Sequence, residues 1–265
     1  MKKKTIALIS LAAALAAPLS AQAHRQWIAP SATILSGNDA YVTVDIASSN
    51  GVFNPDHVAI RLNGLTITAP NGEAVTAENQ HQGRLRSSFD VKLDQQGTYR
   101  LANVVSGFMG TYKVDGEQKR FRGAEADFAA AIPAGATDIT HTRTDGRTET
   151  FVTLGNPTDI APVGKGLELA PVTHPNDVVV GEAASFKLLN NGQPAAGVEV
   201  TMVRGGLRYR DNPAEIKVTT DAEGGFSVTF EDAGLYWVGA SVRTAPSDGQ
   251  PGHNASYNGA LEVLP

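Results

Sequence analysis

Metal chemistry in this sequence can rest only on nitrogen and oxygen donors: there are six histidines and no cysteine. Without cysteine there is no disulfide framework, thiolate metal site, cysteine nucleophile or lipid-modified cysteine anchor. His24 follows Ala21-Gln22-Ala23, where small residues occupy the two positions a signal peptidase reads. Cleavage after Ala23 would put an α-amine and an imidazole on one residue. The amine, with a pKa of about 7.7–8.0, is partly deprotonated at neutral pH, and ring Nδ1 can close a chelate with it. That pair is half of a histidine brace for copper and also suits nickel. A further ligand must come from elsewhere in the chain. The plainer reading is that His24 satisfies the peptidase or starts the first strand.

Two histidines are candidates for that further ligand. His57 lies in the turn Asn54-Pro55-Asp56-His57, and His174 in Thr173-His174-Pro175-Asn176-Asp177. Turn histidines also bond their own backbone, which is the competing expectation for both. His81, His141 and His253 fall in polar, glycine-rich stretches and are expected at the surface. The sequence has no Gly-x-Ser-x-Gly elbow, His-Glu-x-x-His, phosphate loop or dinucleotide glycine pattern. No catalytic residue is assigned, and a non-enzymatic protein is expected.

These residues need elements to hold them. Lys2 to Lys4, the apolar run Ile6 to Ala17, and Pro18 make residues 1–23 a secretory signal, too short and wrongly flanked for a stable membrane span. The remainder is expected in the periplasm, or else secreted, without membrane insertion. Losing Lys2, Lys3 and Lys4 moves the formal charge from −5 to −8. A mildly acidic, evenly mixed surface argues against nucleic acid, whose phosphates need clustered Lys or Arg.

Short alternating runs such as Tyr41-Val42-Thr43-Val44-Asp45-Ile46 and Phe89-Asp90-Val91-Lys92-Leu93, bounded by turn residues, predict half-buried antiparallel strands. One short helix is expected over Ala124 to Ala131, stopped by Pro133. Seven strands are expected in the second half: Leu167 to Val172, Ala183 to Leu189, Val198 to Val203, Ile216 to Thr220, Phe226 to Phe230, Leu235 to Val242 and Ser256 to Leu264. The Pro/Gly-rich stretch 156–166 reads as a linker. The fold class is therefore all-β: two tandem antiparallel sandwiches, immunoglobulin-like or transthyretin-like, over residues 24–160 and 161–265. Trp27 and Trp237 are expected in cores.

The segments Gly192-Gln193-Pro194-Ala195-Ala196-Gly197-Val198, Thr220-Asp221-Ala222-Glu223-Gly224-Gly225-Phe226 and Ala233-Gly234-Leu235-Tyr236-Trp237 resemble transthyretin-like modules. More widely, Ala23-His24-Arg25-Gln26-Trp27, Asp56-His57-Val58, Gln96-Gly97-Thr98-Tyr99-Arg100, Pro171-Val172-Thr173-His174-Pro175 and Arg208-Tyr209-Arg210-Asp211 resemble a periplasmic family labelled a nickel-uptake transporter family. That resemblance covers nearly the whole chain after the signal. It implies a theme of nickel, cobalt or iron uptake, beside the copper that the His24 chelate suits, with an inner-membrane transporter or outer-membrane receptor component as partner. The expectation is a binding or delivery protein for nickel or copper using His24, His57 and His174. The alternative is a metal-free interaction module acting as an accessory subunit.

Overall fold

The computed structural model describes residues 24–247 and 250–265, so the leader expected at 1–23 lies outside the described residues. Among the described residues the chain is built from strands with one short α-helix, arranged as three sheets. Alternation explains the first sheet. Arg25–Pro30 (β1) pairs antiparallel with Ala40–Ser49 (β2), which buries Val42, Val44 and Ile46 and turns Tyr41 and Thr43 outward. After Leu65–Thr68 (β3) and Glu78–Gln82 (β4), Ser87–Leu93 (β5) repeats the pattern with Phe89, Val91 and Leu93 inside. The order in this sheet is β1-β2-β5-β4.

Gly97–Val114 (β6) and Thr137–Leu154 (β8) are long strands paired antiparallel, bridged by Glu117–Gly123 (β7) and the helix Glu125–Ala131 (α1). The helix buries Phe128 against Phe108 and Phe121. Then follow Leu167–Pro171 (β9), Ala183–Asn190 (β10), Glu199–Arg204 (β11), Ile216–Thr219 (β12), Gly225–Thr229 (β13), Gly234–Thr244 (β14) and Gly252–Leu264 (β15). β9 and β13 pair with β10 in a small sheet.

The third sheet has eleven strands and runs through both halves of the chain: β12-β11-β14-β15-β8-β6-β3, with further short strands. Its centre is a parallel pairing of β8 with β15, from Thr142 opposite Gly252 to Thr150 opposite Ala260. The stretch 156–166 therefore links sandwiches that already share backbone hydrogen bonds. The large sheet gives opposite faces to the two smaller ones. Near β6 and β8 one face supplies Tyr99, Leu101, Val152 and Leu154 to a core with Ile28, Val44 and Phe89. Near β14 and β15 the other face supplies Tyr236, Val238, Tyr257 and Leu261 to a core with Phe186, Leu188 and Phe230. A third, smaller cluster lies between the halves and joins Trp27, Ala47 and Val52 to Val203 and Trp237.

Because β8 is covered on both faces, Arg147 to Leu154 is buried without a break. Arg147 Nη1 lies 3.2 Å from Glu149 Oε2, and Tyr257 is opposite Arg147. Burial pushes Glu149 up against the opposing pull of Arg147 and Arg100, and the same burial, with Glu149 beside it, pushes the Tyr257 phenol well up.

Candidate functional site

Strand register brings His24 and His57 together. Arg25 pairs with Ser49, so His24 stands level with Asn50; Val58 pairs with Ser48, so His57 stands level with Ser49. Both histidines thus reach the same end of β2. Their imidazoles are stacked, with centroids 3.6 Å apart and planes 3° from parallel. Both residues are exposed.

The supports of this pair are local. The Asp56 carboxylate accepts from the backbone N–H of Asn50 at 2.9 Å and of Gly51 at 3.4 Å, which pins the loop ending in His57. Trp27 Nε1 donates to Ser49 Oγ at 2.6 Å, and Ser49 Oγ donates to Gly51 O at 2.7 Å. Phe53, at φ 58, meets the Trp27 ring edge-on.

The second half holds the head of β1 from the other side. Trp237 Nε1 donates to Gln26 O at 2.8 Å. The Arg25 guanidinium lies 5.1 Å from the Trp237 ring centroid and bonds Glu215 Oε1. Gly239 makes room for this: a Cβ there would collide with the Trp237 ring, which lies across the strand. Arg208 Nη2 donates to Asn54 Oδ1 at 2.6 Å, so the loop after β11 also grips the 50–57 loop. Between these parts opens a cleft of about 870 Å³ with His24 and Arg25 in its wall and β11, β14 and β15 as its floor.

His174 has a different role. Its Nε2 lies 3.2 Å from Thr158 O and 3.0 Å from Thr98 Oγ1, and its Nδ1 accepts from the backbone N–H of Asn176 at 3.1 Å. A carbonyl can only accept, so Nε2 carries the proton and Nδ1 the lone pair. Both nitrogens are engaged, which removes His174 as a ligand in this arrangement. Burial lowers its pKa below the ordinary histidine value, ahead of the Thr158 bond and of Asp177 and Asp159, which favour the proton. The ring locks the 158 and 174 segments onto β6, beside Thr153 and Asn176.

Two histidines expected at the surface are tied down as well. His141 is stacked against Phe108 and also packs on Phe128, and His253 Nε2 sits 2.7 Å from Asp145. His81 is exposed on β4. Sequence reasoning did not find Arg25, Glu215 or the cleft. The position of Arg25, between His24 and a buried Trp27, was the available signal.

Two exposed imidazoles are nitrogen donors of intermediate softness, the kind that nickel, copper, cobalt and zinc accept. In parallel rings the lone pairs lie side by side and do not converge, so one ring must turn before both can approach an ion at about 2.0–2.1 Å. Among the described residues no group of three or more His, Cys, Asp or Glu is placed to hold a metal ion. The side chains therefore offer a pair of donors, and no more.

A family model described as a domain of unknown function, DUF4198, matches residues 21–244. No curated protein matches the chain. Among solved structures, a DUF4785 family protein from Legionella pneumophila aligns at 9% identity over 89% of this chain and 55% of its own, with a TM-score of 0.25. Trypsin-activated alpha-2-macroglobulin from Escherichia coli aligns at 11% identity over 91% of this chain and 16% of its own, with a TM-score of 0.23. The D0-D1 domain of intimin aligns at 13% identity, over 90% and 97%, with a TM-score of 0.22. Superpositions this loose add nothing to the fold described above.

Proposed function

The chain belongs to the DUF4198 family of unknown function, and from that premise we propose that it is an exported, non-enzymatic protein that binds a transition-metal ion for uptake. The observation that carries this reading is the meeting of His24 with His57, 33 positions apart in sequence and 3.6 Å apart between ring centroids. Cleavage after Ala23 adds the α-amine of His24, making three nitrogens on two residues. Nickel and copper are the ions this donor set suits best, and the periplasm is the compartment the leader implies. The nickel-uptake family that the chain's motifs resemble agrees with this chemistry but supplies no residue. An exposed site that can be approached from solvent supports delivery to a transporter or receptor component.

The test is calorimetric titration of nickel and copper into protein beginning at His24. A second sample carries one extra N-terminal glycine, and a third carries His57→Ala. Each change should weaken binding at least tenfold, about 1.4 kcal/mol. Equal affinity in all three would remove the site. A metal-free accessory role would then be the better account; Tyr209, 84% exposed on the loop that grips Asn54, is where a partner would be sought.

A further inference from the structure

The cleft beside the histidine pair is far larger than a metal ion needs. We infer that it holds a small carboxylate-bearing chelator, so that the ion is taken as a complex and not as a bare aquo ion; this rests on the metal reading above.

Three observations lead there. The first is donor count. The chain supplies at most three nitrogens, and tetragonal copper or nickel takes four or more donors. Among the described residues no third metal-binding side chain joins the pair. The remaining positions must be filled from the side open to solvent, and His24 itself lines the cleft.

The second is the floor. Lys217, Thr201, Gly239 and Asn258 form one row across β12, β11, β14 and β15, and Ser241 stands opposite Ser256 in the next row. All line the cleft, on the face that also carries Trp237. Among the described residues the side chains of Ser241, Ser256 and Asn258 make no hydrogen bond to protein. A cleft of about 870 Å³ floored by uncommitted hydroxyls and an amide has the size and lining of a site for a small polar molecule.

The third is charge. Arg25 bonds Glu215, and Lys217 Nζ lies 3.2 Å from Glu199 and 3.8 Å from Glu215. Two of the three lining cations thus share two of the three lining carboxylates, Arg210 and Asp211 being the others, in partly exposed pairs worth little individually. A carboxylate entering the cleft can take the place of Glu215 beside Arg25 or Lys217 at small cost. The ligand that meets all three conditions carries a carboxylate next to a hydroxyl or an amine: a hydroxy acid or an amino acid, bidentate toward the metal.

Native mass spectrometry of the protein beginning at His24 tests this, with nickel chloride alone, nickel plus equimolar citrate, and nickel plus equimolar histidine. The expected result is a ternary protein–nickel–chelator mass in at least one arm, the arms separating hydroxy acid from amino acid. Thr201→Trp, which fills the floor, should lower the ternary species at least tenfold and leave nickel alone unchanged. Lys217→Ala, at an exposed side chain, should lower it severalfold without touching the core and serves if the tryptophan variant does not fold. Nickel bound alone in every arm, with chelator never retained, overturns the inference and leaves the metal site standing. Failure to bind nickel in any arm overturns both.

Discussion

At the scale of single residues, the three histidines expected as ligands divide by what their ring nitrogens touch. His24 and His57 keep theirs for solvent and for each other, whereas His174 spends both on the protein. That difference has a pH signature. The folded pKa of His174 lies below the ordinary value of about 6.5, so the folded state resists protonation while the unfolded chain accepts it. Its contribution is complete above about pH 6.5 and is lost as pH falls through the lower folded value. Protonation also costs the Asn176 bond, about 1 kcal/mol. Urea unfolding at pH 7 and pH 5 should show wild type losing about 1 kcal/mol more than His174→Gln; equal losses would refute the assignment. If His24 binds metal, Arg25 is expected to act by positioning. Glu215→Gln removes its charged partner and should weaken nickel binding roughly threefold, about 0.7 kcal/mol. Unfolding stability should change by less than about 1 kcal/mol, as expected for a partly exposed pair. A loss of binding that merely tracks loss of fold would argue against a positioning role.

At the scale of elements, strands with one wet face were legible and strands with none were not. Alternation located β2, β5 and the seven strands of the second half to within a few residues, and Gly123 and Pro133 bracketed the helix. The core of β8 reads Arg147-Thr148-Glu149-Thr150, which looks like a solvated segment yet is wholly buried. Arg147 Nη1 bonds Glu149 two residues along the same strand, Arg147 Nη2 bonds the Lys165 carbonyl, and Thr150 Oγ1 bonds Ala260 O at 3.3 Å, while Arg147 Nε is buried without a partner among the described residues. No local period announces that. The site was half legible for the same reason: residue types named the histidines, but only register at the end of β2 shows which two meet. Gly239 is a further case, its lack of a side chain being a requirement of Trp237. Gly239→Ala should destabilise the protein by about 1–3 kcal/mol, the usual range for overpacking, measured by the shift in urea midpoint. An unchanged midpoint would show that the ring has room to move.

At the scale of the whole molecule, one sheet serves two cores by turning a different face to each, and a third cluster fills the angle between them. Both tryptophans of the chain sit in that third cluster. Tryptophan fluorescence therefore reports the junction, while circular dichroism reports the strands. Shared backbone pairing across the junction should make the halves unfold together, so the two signals should follow one urea curve. Fluorescence moving at lower urea than circular dichroism would mean that the junction opens first and the halves are independent.

The parallel pairing of β8 with β15 also bears on assembly in time. The segment Gly252–Leu264 is made about a hundred residues after the strand it pairs with, yet it occupies the middle of the largest sheet. Until it inserts, Thr142 to Thr150 presents an open strand edge, the kind that recruits other chains. Contacts that span so much sequence form slowly. A nascent copy of this protein is thus exposed to aggregation until β15 arrives, and a helper that covers an unpaired edge would matter most in that interval.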